Sequence, residues 1–150
     1  MARPLRRDKP VKAPVAALTL TLMAMEAPVN ANERECRFLG LQPDGTLQVE
    51  VDGTERQVQV FGVVVPQPPP PLYVEIVGRR IHSRNKPVRC DVRAVKPDGQ
   101  WRARIAYFAW QDKSGEVWED LAVTLLDQGV VRVSDEIFPE REEYLRHQRR

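Results

Sequence analysis

The chain has 150 residues, of which 29% are charged and 42% hydrophobic, and a formal net charge of +2. That length suits one domain around a single core. With 8 glycines and 13 prolines, the composition excludes a repetitive or compositionally disordered protein.

The basic excess belongs to the N-terminus. Arg3, Arg6, Arg7, Lys9 and Lys12 precede an uncharged run, Ala13–Met25, and then Val29-Asn30-Ala31. A basic flank, a short apolar stretch and a small-residue exit form the pattern of a secretory signal. The apolar run falls short of the ~20 residues that span a bilayer. Cleavage after Ala31, export to a periplasm or the exterior, and no stable membrane insertion afterwards are therefore expected. Residues 1–31 hold five of the 23 basic and two of the 21 acidic side chains, so residues 32–150 keep 18 and 19, net −1. A near-neutral domain lacks the cation excess on which tight non-specific nucleic-acid binding draws. The two cysteines, Cys36 and Cys90, invite one disulfide in an exported protein. Two buried free thiols are the alternative. A bridge would close a loop of about 54 residues and stabilise by roughly 4 kcal/mol on the loop-entropy account.

In chain order, a strand is expected over 35–42, then Pro43-Asp44-Gly45 as a turn. Leu47, Val49 and Val51 alternate on one strand face, and Asp52-Gly53 is a strong hairpin signal. The next strand, 55–65, alternates at Val58 and Val60, becomes wholly apolar at Val63-Val64-Val65, and stops at Pro66 and the run Pro68–Pro71. These three strands read as an antiparallel meander. Leu72–Ile81 reads as a short helix, and the prolines before it as a rigid connector, with display of a stiff segment to a partner as the other reading. Strands follow over 87–95 and 101–110, joined by Asp98-Gly99. A helix is expected over 117–128 from Trp118, Leu121, Ala122, Leu125 and Leu126, with Gly129 as its cap. A polar helix over 139–150 ends the chain. Five strands with a helix between the third and fourth, followed by two C-terminal helices, is the layout of an OB-fold, a five-stranded Greek-key barrel with helices, in one domain over 32–150.

At this point the sequence resembles the staphylococcal nuclease (thermonuclease) family, from about Arg37 to the C-terminus. The resemblance rests on Asp44-Gly45-Thr46, on Gln59-Val60-Phe61-Gly62-Val63-Val64-Val65-Pro66-Gln67, on Asp98 to Ala106, and on Leu126-Asp127-Gln128-Gly129. It implies a barrel, and a chemistry of phosphodiester hydrolysis with calcium held by carboxylates, a glutamate that activates water, and two arginines on the phosphoryl oxygens. Carried over by position, that site is degenerate. Gln59 stands at the first arginine, Val64 at a metal-binding aspartate and Gln67 at the glutamate. Asp44 remains, and either Arg102 or Arg104 stands for the second arginine. Calcium takes six to eight oxygen ligands, and the loss of one electrostatic contributor costs ~100-fold or more. No catalytic residue and no resident metal or cofactor is expected, calcium entering only if a nuclease activity survives.

Other groups carry weaker signals. Arg89, Arg93, Arg102 and Arg104 lie on adjacent expected strands and form a candidate basic stripe, with Trp101 as a stacking surface; a solvated, charge-balanced face is the plainer reading. Trp110 stacks or packs, and Trp118 is expected in the core. His82 and His147 stand apart, with no ligand spacing for zinc. The expectation is an exported, non-catalytic nuclease-like binding module for a protein or nucleic acid. A diverged nuclease using Asp44, Arg102 or Arg104 and acidic residues such as Glu75 is the second reading, and a structural domain without ligand the third.

Overall fold

A computed structural model describes residues 33–82 and 86–149; the expected signal, 1–31, lies outside them. The first three strands are β1 (Glu33–Leu41), β2 (Leu47–Val51) and β3 (Thr54–Val60). They pair antiparallel in sequence order, as the meander reading expects. Asp52 and Gly53 both take positive φ, 52° and 80°, the geometry a two-residue hairpin needs to match the twist of its strands. The alternation of β2 is fully realised: Leu47, Val49 and Val51 are buried, while Gln48 and Glu50 are half-buried on the opposite face.

The third strand is shorter than the sequence suggests. It stops at Val60, and Phe61-Gly62 turns the chain, with Gly62 at φ 89°. β4 (Val63–Val64) then pairs not with the main sheet but with β8 (Arg132–Val133) from the C-terminal region. Glycine is required at this turn on two counts. A Cβ here would lie 2.7 Å from the Tyr144 ring and 3.1 Å from Phe138, and its φ lies where β-carbons are disfavoured. The proline run leads directly into α1 (Pro71–Arg80), with Pro70 as N-cap and Pro71 in the first turn. Proline fits there because its missing N–H has no helical acceptor anyway. Tyr73, Ile76 and Val77 bury the inner face of this helix.

β5 (Val88–Val95) and β6 (Trp101–Asp112) form the next antiparallel pair. Here the structure corrects the helix expected over 117–128. Its first part is a strand, β7 (Gly115–Asp120), which folds back on β6. Val117 and Trp118 are strand-favouring residues just past a tight turn, and their pairing with Trp110 and Phe108 outweighs the helical spacing. α2 (Leu121–Asp127) begins only where the Asp120 carboxylate accepts the Ala122 N–H at 2.9 Å, an N-cap. Trp118 consequently lies on an outward face, half-buried beneath Arg89. The cap at Gly129 is as expected: Gly129 N–H bonds the Leu126 carbonyl and Val130 N–H the Leu125 carbonyl, a Schellman closure. The terminal helix is α3 (Arg141–Gln148).

The main sheet therefore has six strands, one more than expected, in the order β3-β2-β1-β5-β6-β7. A parallel pairing of β3 with β6, Gln59 opposite Arg102, closes the first five of these strands into a hydrogen-bonded ring, with β7 attached outside it on β6. Inside lie Leu47, Val49, Val58, Val88, Ile105 and Tyr107, continuous with the buried faces of α1 and α2. Phe61, Phe138 and Tyr144 stack edge-on at the C-terminal side and attach α3 to this core.

Candidate functional site

A cleft of about 920 Å³ opens where the ring is closed by β3 and β6. One wall is the outward side of β3, with Gln57 and Gln59. Arg102 of β6 faces Gln59 across the parallel pairing. The other walls are Val63, Val64, Val65 and Gln67, the turn at Asp44–Thr46, the β5–β6 turn with Lys96, Asp98 and Gln100, and Ser134 and Glu136 from the C-terminal region. The abrupt end of β3 makes this possible, because the Gly62 turn carries the three valines and Gln67 back across the strand ends.

The structure thus brings Gln59, Val64, Gln67, Asp44 and Arg102 together, five residues that the family resemblance singled out. Arg104 does not line the cleft. Its guanidinium is held by Asp120 at 2.8 Å and Glu140 at 3.1 Å, and Asp120 also accepts from the Tyr144 hydroxyl. Burial disfavours its charge, yet these carboxylates keep Arg104 more firmly protonated than usual. Arg102 is therefore the arginine of the cleft, and it too is occupied. Both of its terminal nitrogens bond the Glu136 carboxylate, and its plane lies 5.2 Å from the Phe61 ring centre. Those bonds hold the Glu136 carboxyl below the usual carboxylate range.

The remaining polar groups are mostly committed to one another. The Thr46 backbone N–H and hydroxyl both donate to one Asp44 oxygen, at 3.0 and 2.7 Å, and in that order lower its pKa. Gln57 donates to the Thr46 hydroxyl, Gln67 to the Asp44 carbonyl at 2.8 Å, and Lys96 to Gln100. Asp98 accepts from the Gln100 N–H. Among the described residues, no donor bonds the side-chain carbonyl oxygen of Gln57 or Gln67. Half-buried Gln59 lines the cleft and has no side-chain hydrogen-bond partner among the described residues. The three carboxylates of the lining are each engaged by a donor of the protein itself. Among the described residues no group of three or more His, Cys, Asp or Glu side chains is placed to hold a metal ion.

The candidate basic stripe is divided by its partners. Arg93 bonds Glu140 at 2.7 Å and Asp91 at 3.0 Å. Arg89 lies 3.9 Å from the Trp118 ring centre, and Trp101, half-buried, is covered by Arg56. Arg93 and Arg104 converge on Glu140, so these two clamp α3 to the sheet. Gln57, Gln100, Ser134 and Glu136 complete the cleft without having been singled out in the sequence. Gln57 shares the alternation of Gln59; Glu136 lies 34 residues from Arg102 and carries no local signal. Cys36 and Cys90 are free thiols, both buried. No protein-family model matches the chain, and no curated protein matches it.

Proposed function

We propose that this chain is an exported binding module of the OB type, related to the staphylococcal nucleases in form, that has exchanged phosphodiester chemistry for recognition of an uncharged ligand in the β3–β6 cleft. The observation that carries the reading is the charge balance of that cleft. Gln59, Val64 and Gln67 are uncharged members of its lining, and its arginine is paired with Glu136. Phosphoryl transfer works through fixed charge around the reacting phosphate. With Lys96 and Arg102 set against Asp44, Asp98 and Glu136, the cleft has no cationic excess for a phosphate, and its amides, hydroxyls and valines offer hydrogen bonds and apolar contact instead. The ligand that suits it is a neutral, extended segment of a protein partner, whose backbone amides pair with the glutamines while a side chain rests on Val64.

The test has two arms. Incubation of the chain with single-stranded DNA, in calcium and in chelator, is expected to give no cleavage in either. Calcium-dependent turnover would overturn the reading in favour of a diverged nuclease. Selection from a displayed library of unstructured peptides is expected to return neutral sequences whose binding falls about 10-fold with Gln59→Ala, which removes a half-buried hydrogen-bonding amide. Selection of acidic or phosphorylated sequences only, indifferent to Gln59, would also overturn it.

A further inference from the structure

Strand β1 changes partner at a single point. Glu33 to Cys36 ladder onto β5, and Arg37 to Leu41 onto β2. The seam between β1 and β5 is therefore four residue pairs long, and Cys36 is its last member, opposite Val88. Cys90 lies diagonally across the same seam, opposite Arg34. Both cysteines are in the core, 1% and 0% exposed; the Cys36 thiol donates to the Arg34 carbonyl at 3.7 Å, and each cysteine shifts the ionisation of the other. Two cysteines on neighbouring strands and on one face, diagonal across the seam, are a small strand adjustment away from the arrangement a disulfide requires. Two sulfurs alone do not make a zinc site, which takes four ligands in a structural setting.

We propose that Cys36 and Cys90 are a dithiol–disulfide couple whose oxidation covalently closes the β1–β5 seam. The oxidant is a disulfide, either a small thiol disulfide or a protein one. The Cys36 thiolate attacks one oxidant sulfur, forming a mixed disulfide and releasing one thiolate. Cys90 loses its proton and attacks the Cys36 sulfur, so that the Cys36–Cys90 bond forms as the mixed disulfide breaks. Two S–H groups become one S–S bond, and two electrons and two protons leave on the oxidant as two thiols.

The order of attack follows from the site. The neighbouring Cys90 favours a thiolate at Cys36, while Cys36 and burial keep Cys90 protonated. Cys36 also borders a pocket of about 470 Å³ at the end of the seam, beside Phe38, Ile81, His82 and Pro87. Only four residue pairs need to part there to admit an oxidant. Once made, the bond encloses β2, β3, β4 and α1 in a single covalent loop. The proposal is independent of what the cleft binds.

The experiment takes the full chain, reduced, and equilibrates it across ratios of oxidised to reduced glutathione. Acid quenching, maleimide alkylation under denaturing conditions, intact mass and peptide mapping follow. The expected product is a monomer about 2 Da lighter, unalkylated, with the Cys36 and Cys90 peptides linked. Its Tm should fall by on the order of 10 °C when dithiothreitol is added. Cys90→Ala should accumulate the glutathione adduct on Cys36, and Cys36→Ala should accumulate none on Cys90. Two alkylated thiols at every ratio, or wild-type chain ending as glutathione adducts or linked dimers, would overturn the proposal whether or not the variants fold.

Discussion

Two glycines of positive φ separate conformational cost from steric cost. Gly129 caps α2 at φ 71°, and a Cβ there would meet nothing within 4 Å. Gly129→Ala should therefore cost only the left-handed penalty, about 1 kcal/mol. Gly62 sits at φ 89° with the Tyr144 ring 2.7 Å and the Phe138 ring 3.1 Å from the same added atom. Both rings are buried in the core that anchors α3, so neither can swing into solvent. Gly62→Ala should cost about 3 kcal/mol, the left-handed penalty plus overpacking. Denaturant midpoints at constant m-value read the difference; equal losses would show that the ring cluster gives way freely. The role of Gly129 was legible because a helix end announces its cap. That of Gly62 was not, since the run from Val58 to Val65 reads as an unbroken strand and the two rings come from 76 and 82 positions downstream.

Among the elements, α3 depends most on charge. Its N-cap residue, Glu140, has no capping bond and instead accepts from Arg93 at 2.7 Å and Arg104 at 3.1 Å. Hydrogen bonding from Arg93, and then the charges of Arg104 and Arg93, outweigh burial and hold the Glu140 carboxyl below its ordinary value. A carboxyl depressed on folding stabilises the fold fully above its unfolded pKa of about 4.3, and that contribution is lost as pH falls through the folded value. Glu140→Gln should thus cost about 1–2 kcal/mol at neutral pH, because Arg93 and Arg104 retain Asp91 and Asp120. The gap between wild type and variant should close steadily below pH 4. A gap independent of pH would mean that Glu140 acts through packing alone. This clamp could not be read from spacing, because its members come from β5, β6 and the C-terminal segment. The same limit explains β7. Trp118, Leu121, Leu125 and Leu126 do fall at helical intervals, but Trp118 belongs to a strand and only the later three to a helix. The informative residue was Asp120, a cap placed just where the two periods meet.

For the whole molecule, the ring closure decides which parts of a neutral-looking sequence become a site. The meander and its Asp-Gly turns were legible from alternation, and so were the neutral residues at Gln59, Val64 and Gln67. The choice between Arg102 and Arg104 was not, because both point to the same side of β6. What separates them is the partner that each meets: Glu136 at the cleft, Asp120 and Glu140 behind it. That distinction yields the sharpest test of why the cleft is neutral. Glu136 is half exposed and sits at the rim, so Glu136→Gln should change stability by less than about 1 kcal/mol. It leaves Arg102, whose side chain is 24% exposed, without its counter-charge, in a cleft that already carries Lys96. One freed cation contributes to a polyanion by releasing about one condensed counterion. Affinity for a thymidine oligonucleotide should therefore rise about 5-fold at 50 mM salt, with the slope of log K against log salt steeper by roughly 0.7. Arg104→Gln, which lies outside the cleft, should leave both quantities unchanged. If Glu136→Gln left them unchanged too, the pairing with Glu136 would not be what keeps phosphate out, and the neutral-ligand reading of the cleft would lose its electrostatic basis.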